Sequence, residues 1–168
     1  SLGNHLGGVG KAMVVGAGSE WNSAFWISVG FAGAGQLAIE AGGRVSDSAG
    51  GIGLNATSTG EAAIRGVGSR WDNRTFIVGV YGHGSLAITH GGLLTVQEVL
   101  SIDPNGDSGS SINMASGGKL ALYGDAANSL AEFMDLMRGT DAIRYWNADA
   151  AEWRPIADAV RGVDFTLE

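Results

Sequence analysis

Asp103-Pro-Asn-Gly-Asp107 sets the oxygen-bearing side chains of Asp103, Asn105 and Asp107 at alternate positions, the spacing with which a loop can wrap a Ca²⁺ ion. No Glu follows at the distance a helical Ca²⁺ loop needs, and the same residue types build tight turns. The segment therefore reads first as a turn and second as a weak Ca²⁺ site; no other cofactor is expected. Three carboxylates, Asp47, Asp72 and Glu98, fall at roughly comparable places along the chain. Paired carboxylates on one face are what cleavage of a polysaccharide requires, but these give that reading only weak support. The three histidines, His5, His83 and His90, form no His-x-x-x-His pair and read as solvated surface. No serine sits in a Gly-x-Ser-x-Gly elbow between strand and helix, and Gly30-Phe-Ala-Gly33 lacks the following helix of a phosphate loop. Asn55-Ala-Thr57 and Asn73-Arg-Thr75 match the glycan-acceptor pattern, which gives Asn55 and Asn73 as possible acceptors. These residues do not assemble into a catalytic set, and the chain is expected not to be an enzyme.

The elements that must carry these residues announce themselves through glycine. Gly accounts for 29 of 168 residues, with Pro 2 and Cys 0. Glycine disfavours helix interiors by about 1 kcal/mol each, so this chain turns often. Five Trp, five Phe and 45% hydrophobic residues supply a core, which separates it from a disordered linker. Without Cys there is no disulfide scaffold and no thiolate zinc site. The net charge of −7 and the lack of a dense basic patch exclude a nucleic-acid binder. No apolar run reaches the ~18 residues of a membrane-spanning helix. Of the 29 glycines, 27 lie in residues 1–125, which puts a boundary near 125.

The glycines belong to a repeat. Gly10, Ala12, Gly16, Gly18, Ser19 and Trp21 recur as Gly60, Ala62, Gly66, Gly68, Ser69 and Trp71. Gly35-Gln-Leu-Ala-Ile-Glu-Ala-Gly-Gly43 recurs as Gly84-Ser-Leu-Ala-Ile-Thr-His-Gly-Gly92, and Asn113–Leu122 is a degenerate copy. Segments start at Gly10, Gly35, Gly60, Gly84 and about Ser110, a step of 24–26 residues. Each opens on a short alternating strand (Ala12–Val15, Leu37–Ile39, Ala62–Ile64, Leu86–Ile88, Ile112–Met114), turns at glycines and continues through two further short strands. Three strands with corners every ~8 residues describe one coil of a solenoid, in which each coil supplies its neighbour's backbone hydrogen bonds. The expected fold is therefore all-β: a single-stranded, right-handed-type β-helix of ~25 residues per coil over residues 10–125. A weakly patterned arm (1–9) precedes it and a small α+β cap (126–168) follows. A β-sandwich is the alternative, but it does not require identical strands at a constant step.

Alternation sends Leu37, Leu86 and Ile112 into one inward ladder and Ile39, Ile64, Ile88 and Met114 into another. Trp21 and Trp71 lie two coils apart, with Val45 and Leu93 near the same place between them; they read as packing positions, with sugar stacking second. Phe31 and Tyr81 recur in a glycine-rich corner and are expected in a row on one edge, as a contact surface.

These tracts resemble a known family. Gly-Ala-Gly-Ser-Glu-Trp-Asn (16–22), Ile-Ser-Val-Gly-Phe-Ala-Gly-Ala-Gly-Gln-Leu-Ala-Ile (27–39) and Ala-Gly-Gly-Arg-Val-Ser (41–46) are similar to the autotransporter and PEP-CTERM-associated repeat. The likeness covers residues 9–96 and, loosely, 110–122; it implies a secreted or surface-attached bacterial β-helix and transfers no catalytic residue. Residues 110–168 also resemble the end of such proteins, without the anchoring segment.

In the cap, Asn128 or Ser129 can start a helix whose apolar face is Leu130, Phe133, Met134 and Met137, ending near Arg138-Gly139. Ala142–Trp146 and Glu152–Ile156 read as a hairpin, and Val163–Leu167 as a final strand. The expected function is that of an extracellular structural protein that assembles head to tail with copies of itself into a surface filament. The alternative is an adhesin or glycan-binding module whose partners are surface glycans.

Overall fold

A computed structural model describes residues 1–106, 108–123, 141–160 and 162–163. They form a β-solenoid of about five coils stacked in parallel at the expected step of about 25 residues. The first strand of each coil builds one sheet: β1 (Val9–Val15), β4 (Ala34–Glu40), β6 (Thr59–Arg65), β8 (His83–Thr89) and β10 (Ser111–Ala115). The rest of each coil builds a second sheet from β2 (Glu20–Asn22), β3 (Trp26–Val29), β5 (Arg44–Ile52), β7 (Arg70–Val78), β9 (Leu93–Ile102) and β11 (Lys119–Leu122). The second and third strands expected per coil run on as one long bent strand in β5, β7 and β9. The bend sits near Ser48 and Arg74, and β7 carries a register irregularity between Asn73 and Thr75.

Strict register makes the interior a set of columns. In the first sheet Ala12, Leu37, Ala62, Leu86 and Ile112 lie one above another, beside Val14, Ile39, Ile64, Ile88 and Met114. The wall between them and the second sheet is filled by the columns Trp21–Val45–Trp71–Leu94–Leu120 and Val29–Ile52–Val78–Ile102. Nearly all of these side chains form one continuous buried core. The inward residue level with Trp71 is Leu94; Leu93 pairs with Arg70 and lies one residue off the column.

Glycine recurs where two coils touch. Gly35, Gly60 and Gly84 are register partners and buried. A Cβ on Gly35 would fall on the amide of Gly30, and one on Gly60 on the carbonyl of Val29. The requirement there is close approach between backbones.

Leu2 bridges to Val29, donating its N–H to the Ser28 carbonyl and accepting from Gly30, so the arm lies on its own first coil. At the other end β12 (Ile143–Asn147) stacks parallel on β10 and returns antiparallel as β13 (Glu152–Pro155). The hairpin expected there is present, with its strand ends shifted by one residue. Ile143 and Tyr145 extend the two columns, and Ile156 closes a small second cluster against them. Trp146 and Trp153 meet edge to face across the hairpin at 5.4 Å. A 3-10 turn follows at Ile156–Asp158. The expected helix over 128–139 lies outside the described residues, as does the expected final strand beyond Val163, itself in a turn.

Candidate functional site

Four places could carry a function, and register decides what each can do. The first is the bend of the second sheet. Asp47 on β5 pairs with Asn73 on β7, which pairs with Val96 on β9. Alternation puts this column on the inside, next to Val45, Trp71 and Leu94. The Trp71 indole Nε1 donates to Asp47 Oδ2 at 3.1 Å. Burial pushes the Asp47 carboxyl up to about 7, against the opposing pull of the Trp71 bond. Asp72, one residue from Asn73, faces outward, bonded by Arg70 at 2.5 Å and by the Thr95 hydroxyl. Glu98 is paired with Arg74 at 2.7 Å on the outer surface. The three carboxylates expected at comparable positions are thus separated: Asp47 turns in, while Asp72 and Glu98 turn out with cations of their own.

The second place is the loop after β9. Asp103 adopts positive φ and turns its carboxylate back on the loop. Oδ1 accepts from the Ser108 N–H and hydroxyl, and Oδ2 from the Gly109 N–H. Burial opposes ionisation there, but the bonds from Ser108, Gly109 and Gly106 outweigh it and hold the carboxyl below its usual value. The Asn105 amide donates to the Val80 carbonyl at 2.5 Å. Asp107 lies outside the described residues. The geometry is that of a self-satisfied turn: both Asp103 oxygens already serve the chain. Among the described residues no group of three or more His, Cys, Asp or Glu is placed to hold a metal ion.

His83 Nδ1 lies 3.0 Å from the Ser108 carbonyl, which ties the loop to the coil below. His5 and His90 are exposed.

The third place is the outer surface. Phe31 is 39% and Tyr81 66% exposed, as a contact surface needs. They do not form one row. Asn55 N–H donates to the Phe31 carbonyl, but Tyr81 N–H donates to the Leu54 carbonyl, so Tyr81 is level with Asn55 and Phe31 with Leu54. The more exposed aromatic pair is Phe25 at 78% and Trp26 at 52%, adjacent on the corner of the first coil. The signal that marks the corner is the inward alternation of Ile27 and Val29, which leaves Trp26 facing out. Trp71 is wholly buried and offers no sugar platform, whereas Trp21 is half-buried. Of the two glycan-acceptor matches, Asn55 stays at the surface in a turn, but Asn73 is buried in the core and closed to modification in the folded chain.

The fourth place is the end of the stack at β1. This strand bonds to β4 on one side, and among the described residues its other side is unpaired. Its outward side chains Val9, Lys11, Met13 and Val15 are exposed. An open hollow of about 550 Å³ lies beside it, bounded by Ala12, Val14, Ser19, Glu20 and Trp21.

Among the described residues no helix is long and apolar enough to cross a membrane. No family model, no curated protein and no solved structure matches the chain.

Proposed function

We propose that the chain is a structural module of an extracellular or cell-surface protein that joins end to end with further coils of its own kind. One observation carries this reading: the stack presents at β1 an unpaired parallel edge flanked by exposed Val9, Met13 and Val15 and by uncovered core residues. An edge of this kind is a template for another strand. Head-to-tail joining sets it against the far end of a second copy, where β11 also has an edge unpaired among the described residues. Such a contact is heterologous and gives filaments unless it closes into a ring. The glycine-rich repeat and its resemblance to a bacterial surface repeat support the extracellular setting.

The test is sedimentation velocity over a wide concentration range, with electron microscopy of the same samples. Species that lengthen with concentration are expected, and replacing both Met13 and Val15 with Lys is expected to abolish them. A monomer at every concentration would sink the proposal.

A second reading is favoured by Phe25 and Trp26. Two adjacent exposed aromatic rings suit the apolar faces of sugar rings, as in a glycan-binding adhesin. A glycan array is expected to show binding that Trp26→Ala removes; an empty array counts against it.

A further inference from the structure

We propose that Asp47 and Asn73 form a proton-dependent latch inside the solenoid, in which protonated Asp47 donates from its Oδ1 to the side-chain amide oxygen of Asn73 on the next rung. Three buried polar atoms on this rung pair have no hydrogen-bond partner: Asp47 Oδ1 and both the Oδ1 and Nδ2 of Asn73. Asn73 is 1% exposed, so water does not serve it from outside. The two residues are register partners, and adjacent strands in a sheet run ~4.8 Å apart, within reach of a side-chain bond. Buried polar atoms left unbonded are costly, which favours the state in which these find each other.

The proton decides the direction of that bond. Protonated, Asp47 gives its proton to the Asn73 oxygen and leaves no net charge inside. Ionised, it can only accept, from Asn73 Nδ2 after a half-turn of the amide. The charge is then left among Trp71, Phe76 and Val96, all buried. The inward neighbours of Asp47 are Val45 on its own strand, Ser23 on one side, and Trp71 and Asn73 of β7 on the other, with Val96 one strand further; none of them is charged. The charged residues on the same strands stay outside: Arg44 is exposed, Arg70 bonds Asp72, and Arg74 bonds Glu98. Ionisation therefore meets no cation, and burial holds the carboxyl protonated up to about neutral pH. Gly50 belongs to the same device, because a Cβ there would meet the Asn73 side chain and the Phe76 ring.

The Trp71 indole N–H reports the state of Asp47 directly, since it donates to the other carboxyl oxygen. In ¹⁵N-correlated NMR spectra of the whole chain, its resonance and the Asn73 side-chain NH₂ pair are expected to titrate together with a midpoint near 7. Asp47→Asn is expected to flatten both curves, and Asn73→Val to displace the midpoint of the indole curve. A wild-type indole resonance that stays constant from pH 4 to 9, or that titrates in the ordinary carboxylate range, would overturn the latch. So would an Asn73→Val midpoint identical to wild type.

Discussion

Trp71 and Asp47 are bonded across one rung of the solenoid, indole Nε1 to carboxyl Oδ2 at 3.1 Å, with the indole wholly buried. The ring also meets Phe76 edge to face at 4.9 Å. Trp71→Phe keeps an aromatic in the column and removes the donor with part of the ring volume. It is expected to cost about 1–3 kcal/mol in urea unfolding, the penalty of an unsatisfied buried acceptor. Trp71→Ala also leaves a cavity and is expected to cost about 3–5 kcal/mol. A Trp71→Phe variant as stable as wild type would mean that the bond contributes nothing.

The pH dependence of stability follows from the same carboxyl. Its value rises from 3.8 to about 7 on folding, so between these limits the folded chain holds a proton that the unfolded chain has released. The contribution of Asp47 is therefore greatest below pH 4, declines as pH rises from about 4 to about 7, and levels off above. Asp47→Asn is expected to remove this slope and to leave the variant more stable than wild type at pH 8. Thermal melts at fixed ionic strength decide it; a wild type that does not lose stability relative to Asp47→Asn across that range would contradict the assignment.

Glycine positions separate into two classes with different penalties. Gly60→Ala forces a methyl into the Val29 carbonyl of the neighbouring coil and is expected to cost about 3 kcal/mol or more. Gly18 has φ +85° with open space around it, so Gly18→Ala meets only backbone strain, about 1–2 kcal/mol. Chemical denaturation of the two variants side by side checks the order.

The Asp103 loop is expected to fold without a cation. Because its carboxyl is held below the usual value, the loop's contribution is present above about pH 4 and is lost as pH falls through the folded-state value. Asp103→Ala is expected to cost about 1–3 kcal/mol through its lost hydrogen bonds. Calorimetric titration with Ca²⁺ is expected to give no binding heat; a heat that vanishes in Asp103→Ala would instead establish the site.

The coil length and the inward columns were legible because both depend on local alternation repeated at a fixed step. Leu37, Leu86 and Ile112 lie where that alternation puts them, as do Ile39, Ile64 and Ile88. The bend of the second sheet was not legible. The step from coil to coil is uneven, and β9 gains a residue opposite Arg74, so one-residue errors arise: Leu94 and not Leu93 is level with Trp71, and Phe31 is level with Leu54 while Tyr81 is level with Asn55. Alternation carries Asp47 and Asn73 inward beside Val45 and Trp71, against the ordinary preference of polar residues for water. No single-residue propensity predicts a buried carboxyl beside a buried amide; only their shared register with Val96 reveals it. Asn73 also shows why a three-residue acceptor pattern says little about access, since pattern and exposure are independent.

The parallel stacking has a mechanical consequence. The ladder bonds between coils point along the solenoid axis, so tension between the two ends loads them one rung at a time and not all at once. Each coil of about 25 residues then peels away as a unit and releases roughly 80–90 Å of extended chain. Under load the molecule is an extensible tether that lengthens in near-equal increments. The Trp71 rung, which carries the largest buried side chain, is where the force needed for the next increment should rise.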